Sequence, residues 1–217
     1  MFEAFAIPSD CLNYRLLIDI ELYSYMMTLA QESLPNEILG MGAIAVKSNK
    51  YCTDFILEDI FIPEQLVSPS YCTFKEGAQN RIIEEVIERG GDAEKLCFRW
   101  HSHANGPVYF SPVDEKDIKN CDSPYVVNLV VNARQEVKAR LDILEPAQAY
   151  GRKMRFFNVP VSVVVQPLAD EALTEECQED IASCCEKLTN VTRDNFPYMR
   201  EPLDELEDIL NLNWGGK

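Results

Sequence analysis

Both histidines of this chain lie in one tripeptide, His101-Ser102-His103, at the end of the run KLCFRWHSH, which is typical of a β-strand. Side chains two positions apart on a strand point to the same face, so the two imidazoles can converge on one point. Neutral imidazole nitrogen is a good zinc ligand, and two from one strand supply half of a tetrahedral site. The tripeptide therefore predicts a strand end with two converging imidazoles, and from these residues alone a metal site and a purely structural role both stay open.

Asp114 follows His103 by eleven residues and can return as a third ligand after a loop. Three protein ligands leave one position open for water, which is typical of a catalytic zinc site. The run SPVD, residues 111–114, has a second interpretation as the start of a helix. In that interpretation Ser111 is the cap, Pro112 lies in the first turn and Asp114 faces the positive end of the helix dipole. From the residues alone, both interpretations stay open.

Hydrophobic periodicity predicts strands alternating with helices up to about residue 167. We expect a mixed central β-sheet flanked by helices, which is an α/β chain of the α+β kind, with a C-terminal helical extension. The predicted division is therefore a domain over 1–167 and an extension with an acidic tail over 168–217. The expected elements, in chain order, are a strand at 14–20, a helix at 21–33, two strands turning near 48–50, a loop at 63–75, a helix at 76–92, a strand at 95–103, a short helix at 111–121, a hairpin at 125–144, a strand at 155–167 and a helix near 173–188. In the helix at 76–92, Ala78, Ile82, Val86 and Ile87 are predicted to share the buried face.

The net charge of −16 disfavours nucleic acid and anionic membrane surfaces as partners. It suits a basic protein partner, or simple solubility. The eight cysteines include no C-x-x-C pair, so we expect mostly small buried thiols in a reducing compartment. The sequence has neither a long apolar run nor the pattern of a signal peptide, which predicts a cytoplasmic protein.

His-Ser-His, seven further residues, then Ser111 and Asp114 is the complete pattern of the JAMM (MPN-plus) metalloprotease family, which this chain resembles. The resemblance extends through the order of predicted elements over residues 14–167 and implies the cytidine-deaminase-like MPN fold. The run LPNEILGMGAIAV resembles the element that carries the family's upstream glutamate, which implies Glu37. The residues alone would not select Glu37, since a glutamate after a proline in a turn is usually solvated. Ala104 stands where the family often has proline.

The resemblance implies one zinc ion per chain, bound by His101, His103 and Asp114. It further implies that Glu37 is the general base and that Ser111 donates a hydrogen bond to the developing oxyanion. The implied reaction is hydrolysis of an isopeptide or peptide bond after the C-terminal tail of a ubiquitin-like modifier or its precursor. The segments 63–75 and 145–153 are candidate substrate contacts.

Two other functions remain open at this stage. Relatives without the ligands serve as non-catalytic scaffold subunits, and a close variant of the reaction processes the precursor of a sulfur-carrier protein. The complete ligand set favours an enzyme. The C-terminal run EPLDELEDILNL can dock a protein partner or cap the domain, and the terminal Gly-Gly-Lys is interpreted as a frayed end.

Overall fold

A computed structural model describes residues 5–6, 13–119, 123–145, 154–164 and 171–187. These residues form a mixed α/β structure with one large sheet, one small sheet and four α-helices, as the sequence predicts at that level. The helices are α1 (Ile20–Glu32), α2 (Ala78–Glu88), α3 (Pro112–Lys119) and α4 (Glu171–Cys184). The strands are β1 (Phe5–Ala6), β2 (Tyr14–Asp19), β3 (Leu39–Ser48), β4 (Thr53–Phe61), β5 (Gln65–Ser68), β6 (Tyr71–Phe74), β7 (Phe98–Ser102), β8 (Tyr125–Val131), β9 (Val137–Ile143), β10 (Met154–Val159), β11 (Val161–Val164) and β12 (Cys185–Lys187).

The strand that carries the histidines, β7, lies at the centre of the large sheet. In the described residues the strand order is β1-β10-β9-β8-β7-β3-β4-β2-β11. Strand β7 pairs antiparallel with β3, where Leu39 is opposite His101, and parallel with β8. A central strand has its backbone groups paired on both sides, so the position of its side chains is fixed by two neighbours.

The two faces of β7 lead to different surroundings. Phe98 and Trp100 point into the main hydrophobic core, which also contains Met26 and Leu29 of α1. Arg99 and His101 point to the opposite face, where α2 packs through Ile82 and Val86 and where α3 packs through Ile118. Alternation along one buried strand therefore separates the core from the candidate site.

The large sheet is curled, so that β2 and β10 come into contact although they lie far apart in the strand order. The rings of Tyr14 and Phe156 are 4.8 Å apart in an edge-to-face arrangement, and Leu16 N donates to Pro160 O at 2.9 Å. Pro160 is the single residue between β10 and β11. The one strand predicted at 155–167 is therefore wrong, because proline has no N–H to continue a ladder and the chain changes neighbours there.

Three further predictions of local structure are wrong. Residues 63–75, predicted to be a loop, contain the antiparallel hairpin β5–β6, whose turn holds Pro69 and Ser70. The turn residues suggested a loop because the four-residue strands on either side are too short to show a periodic pattern. The C-terminal helix ends at Cys184, and β12 follows it to pair in parallel with β5. Ile87, predicted on the buried face of α2, is 58% exposed, whereas Ala78, Ile82 and Val86 are buried as expected.

The first compact unit of the chain runs through Lys187 and the second covers Leu188–Lys217, which lies outside the described residues. Helix α4 packs against α1 and contributes the buried Cys177 to the main core. The predicted boundary at 167 falls within 165–170, outside the description, and the two-domain division stays a prediction. The predicted roles of 145–153 and of the C-terminal tail fall almost wholly on undescribed residues.

The described cysteines are free thiols. Cys97 and Cys177 are buried as expected, whereas the other four described cysteines are partly exposed: Cys52, Cys72, Cys184 and Cys185. Among the described helices, none combines the length and the apolar character that crossing a bilayer requires. The cytoplasmic location stays a prediction.

Candidate metal centre

The structure brings the three predicted ligands together at the end of β7. The Nε2 atoms of His101 and His103 lie 3.1 Å apart, and His101 Nε2 lies 3.5 Å from Asp114 Oδ1. One donor atom from each of the three residues lies within 4.8 Å of the others. The period of the strand supplies the two imidazoles, and the first turn of α3 returns the carboxylate to them.

The spacing and chemistry of this cluster fit a zinc ion. Ligand atoms about 2.0–2.1 Å from a tetrahedral zinc are separated by roughly 3.3–3.4 Å, a value that falls between the two measured distances. Burial lowers the pKa of His101 to about 4, which keeps that imidazole in the neutral form that binds metals. Two imidazoles and one carboxylate form the donor set of catalytic rather than structural zinc sites.

The ring of His103 is oriented by a backbone carbonyl. His103 Nδ1 lies 2.8 Å from Pro107 O, and because a carbonyl only accepts, Nδ1 must carry the proton. The lone pair is then on Nε2, the atom that faces His101. Tyr109 packs edge-to-face against His103 with ring centroids 4.7 Å apart, and it remains 48% exposed at the rim.

Ser111 and Asp114 form a reciprocal cap on α3. Ser111 N donates to Asp114 Oδ2 at 2.5 Å, and Asp114 N donates to Ser111 Oγ at 3.3 Å. The helix-cap interpretation of SPVD is therefore confirmed. It does not compete with the metal interpretation, because the cap uses Oδ2 while Oδ1 faces His101.

Glu37 lies in the same cavity as the three ligands, two positions before Leu39. Its backbone N–H donates to Ser68 O at 2.8 Å. Burial, with a further contribution from the negative charge of Asp114, raises the pKa of Glu37 to about 8. The implied general base is thus a partly buried carboxyl that ionises near neutrality, rather than the solvated turn residue that its sequence context favours.

The cavity has a volume of about 440 Å³. Its walls are the candidate ligands, the strand β6, the start of α2 and the exposed edge of α3. Arg99 lines it from the same face of β7 as His101. The cavity extends from the metal-ligand cluster to β6.

A buried charge network lies beneath α3. Arg140, which is fully buried, forms an ion pair with Glu115 and donates from Nε to Asp142 Oδ2 at 2.8 Å. Arg155 donates from Nε to Asp142 Oδ1 at 2.6 Å and also pairs with Glu115. The Arg140 guanidinium lies 4.2 Å from the ring centroid of Phe110. The network joins α3 to β9 and β10, directly behind the turn that carries Asp114.

Several residues that shape the site were not predicted from the sequence. Ser102, the middle residue of the motif, is fully buried and accepts a hydrogen bond from Ile38 N at 3.0 Å. Gln65 lies in the segment that was expected to be a loop, and the sequence around Arg140 gives no indication that this residue lies near the site. Trp100, next to the motif, packs in the main core.

No protein-family model matches the sequence, and no curated protein matches it. Among solved structures, protein DSY2949 from Desulfitobacterium hafniense is similar to this chain with a TM-score of 0.46 and 14% sequence identity. The similarity covers 70% of this chain and 94% of that chain. At this level the similarity does not extend to function.

Proposed function

We propose that this protein is a zinc-dependent peptidase of the JAMM (MPN-plus) type, with the MPN fold. Its substrate in this proposal is the bond after the C-terminal tail of a ubiquitin-like protein, either in a conjugate or in a precursor. The observation that carries the proposal is the meeting of His101, His103 and Asp114 in a cavity that also contains Glu37 and Ser111. His101, His103 and Asp114 would hold a zinc ion, which would supply Lewis-acid chemistry by lowering the pKa of a water molecule and polarising a carbonyl.

Glu37 is proposed to accept the proton of the attacking water and to pass it to the leaving amine. Its pKa is raised to about 8 by burial and by Asp114. A nearby cation would lower that pKa, so with zinc bound the pKa of Glu37 would lie closer to neutral pH. A base with a pKa near the working pH can both take and return a proton.

Ser111 is proposed to stabilise the oxyanion that develops on the scissile carbonyl. Its Oγ accepts the Asp114 N–H, and the hydroxyl proton stays available to donate into the cavity. A donor of this kind contributes about 10²–10³ in kcat in comparable sites. The cap fixes the hydroxyl at the start of α3, so its position is set before substrate arrives.

The substrate tail is proposed to bind in extended form along β6. In the described residues β6 pairs only with β5, and its residues Tyr71–Phe74 line the cavity. A strand at the end of a sheet can accept an extended peptide through main-chain hydrogen bonds. Tyr109 and Val113, both partly exposed, provide apolar surface on the opposite rim.

The first test is zinc stoichiometry by elemental analysis, with the His103→Ala variant as the matched control. We expect about one zinc per chain in the parent protein and loss of it in the variant. Equal, negligible zinc in both proteins after zinc is supplied would overturn the enzyme proposal and favour the non-catalytic scaffold.

The second test is cleavage of ubiquitin-like fusion proteins by the zinc-loaded chain. Glu37→Gln should retain zinc and lose at least about 100-fold in rate, the usual contribution of a general base. Glu84→Gln, a substitution on the exposed side of α2, provides the control. Equal rates for the parent and Glu37→Gln would refute the role of Glu37.

A further inference from the structure

The segment that carries Glu37 lies between two parts of the fold. On one side is β7, where Leu39 is opposite His101, and on the other is the hairpin β5–β6, which forms a wall of the cavity. Backbone N–H and C=O groups alternate between the two sides along an extended chain. The backbone N–H and C=O groups of Ile38 therefore face β7, and the backbone groups of Leu39 face the hairpin.

Ser102 completes the pairing on the β7 side. Its N–H donates to Ile38 O at 2.8 Å, as expected in an antiparallel ladder. The return bond comes from Ile38 N to the Ser102 hydroxyl at 3.0 Å. The side chain of Ser102 thus stands in for a ladder acceptor one residue from Glu37. Because Ser102 is fully buried, no water can replace that oxygen.

Gln65 completes the pairing on the hairpin side. The ladder between β3 and β4 ends at Met41 and Phe61, so β4 does not reach the backbone groups of Leu39. The fully buried amide of Gln65 accepts from Leu39 N and donates to Leu39 O, both at 2.9 Å. Its nitrogen also donates to Pro63 O at 3.2 Å, which fixes the amide orientation. Gln65 therefore fastens the cavity wall to the Glu37 segment.

We propose that Ser102 and Gln65 are positioning residues that clamp residues 38 and 39 from both sides and so hold the Glu37 carboxyl in place for proton transfer. This inference rests on the proposed function for its catalytic consequence. Neither residue touches the reacting atoms. Removing either clamp leaves the ligands His101, His103 and Asp114 in place but lets the base shift, and shifts of about 1 Å can cost roughly 100-fold in rate.

The variants that test the clamp are Ser102→Ala and Gln65→Met. Ser102→Thr keeps the hydroxyl and should behave like the parent protein. Val67→Ala, which removes buried apolar volume from the same strand as Gln65 without touching its hydrogen bonds, controls for general loosening of the hairpin. Each variant is assayed for bound zinc, for kcat and KM on the cleaved fusion, and for amide hydrogen exchange at Ile38 and Leu39.

We expect Ser102→Ala and Gln65→Met to keep about one zinc per chain and to lose about 10- to 100-fold in kcat with little change in KM. When either change is combined with Glu37→Gln, the double variant should lose no more than Glu37→Gln alone, because the clamp acts through Glu37. Full additivity of the two losses would overturn the proposal. So would a loss of zinc in Ser102→Ala, which would mean that Ser102 supports the ligands instead.

Amide hydrogen exchange tests whether Ser102 and Gln65 hold residues 38 and 39, independently of catalysis. The Ile38 amide should exchange at least about tenfold faster in Ser102→Ala, and the Leu39 amide likewise in Gln65→Met, with neither released in Val67→Ala. Unchanged protection at both amides would overturn the clamp even in an active enzyme. If these amides exchange faster in the variants but the parent protein cleaves no fusion, the positioning role of Ser102 and Gln65 is upheld and the peptidase function is refuted.

Discussion

Ser111 and Asp114 cap the first turn of α3 for each other, and they do so with only one of the two Asp114 oxygens. Oδ2 accepts the Ser111 N–H, whereas Oδ1 faces His101 Nε2 at 3.5 Å. A helix cap and a metal ligand are usually alternative explanations of one aspartate. Here the cap orients the carboxylate so that its other oxygen is delivered to the histidines.

Ser111→Ala should lower both stability and rate. Loss of the cap should cost about 1 kcal/mol in the free energy of unfolding. Loss of the hydroxyl should lower kcat by about 10²–10³. Asp19→Ala, which removes the side chain that caps α1 by accepting from Glu21 N, should cost similar stability and leave kcat unchanged. Urea unfolding and initial rates separate the two effects, and a Ser111→Ala variant with the unchanged kcat expected of Asp19→Ala would refute the oxyanion role.

Ionisation of Glu37 should destabilise the metal-free protein as the pH rises. The folded state holds the Glu37 proton up to a pKa of about 8, whereas the ordinary value is 4.5. The contribution of this group to stability is therefore complete below pH 4.5 and is lost progressively as the pH rises towards 8. Glu37→Gln cannot ionise, so its advantage over the parent should be absent at pH 4.5 and largest above pH 8.

Urea unfolding of the chelator-treated proteins across this pH range measures that difference. A constant difference between Glu37→Gln and the parent at every pH would contradict the raised pKa. Zinc should reduce the difference, because a cation beside Glu37 favours the ionised carboxylate.

Arg140→Met should be strongly destabilising because it leaves Asp142 and Glu115 with one cation instead of two. Removing one partner of a buried ion pair costs about 3–5 kcal/mol. Arg155→Met is a matched control, since Arg155 pairs with the same two carboxylates but is itself 19% exposed. Arg155→Met should lower the free energy of unfolding by clearly less than Arg140→Met does. Equal losses of unfolding free energy for the two variants would show that burial of Arg140 does not decide its contribution.

Gly40→Ala should destabilise the start of β3. A Cβ at Gly40 would lie 2.3 Å from Trp100 Nε1 and 3.0 Å from Phe61 O, so a buried indole or the backbone must shift. Overpacking of this kind costs about 1–3 kcal/mol. Combining Gly40→Ala with Trp100→Phe should cost less than the sum of the two single changes, because phenylalanine lacks Nε1. Strict additivity in thermal or urea unfolding would contradict the close contact.

The parts of the fold that the sequence predicted are those set by local pattern. The buried face of α2 follows the helical period at Ala78, Ile82 and Val86, and β7 follows from the run that ends in His101 and His103. The convergence of the two imidazoles depends only on the two-residue period of a strand. The serine and aspartate of SPVD favour the start of a helix, and the structure confirms that start.

The parts that were missed depend on contacts between residues distant in sequence. Glu37 was singled out by family resemblance alone, because its place in the cavity depends on the pairing of Leu39 with His101. Gln65 is informative only once β4 is known to end at Phe61 and to leave Leu39 without a partner on that side. Strand β11 was merged with β10 because nothing local shows that the chain after Pro160 pairs with β2.

The pairing of β11 with β2 has a consequence for biosynthesis. Strand β2 is translated well before β11, yet Leu16 pairs with Val161 of β11. Until that partner emerges, the nascent chain carries β2 with one open edge, a state in which chaperones bind and neighbouring chains can pair. Contacts that close so long a loop also slow folding. Strand β7 is therefore translated well before the sheet around it can close, and the fold matures as a whole rather than in the order of translation.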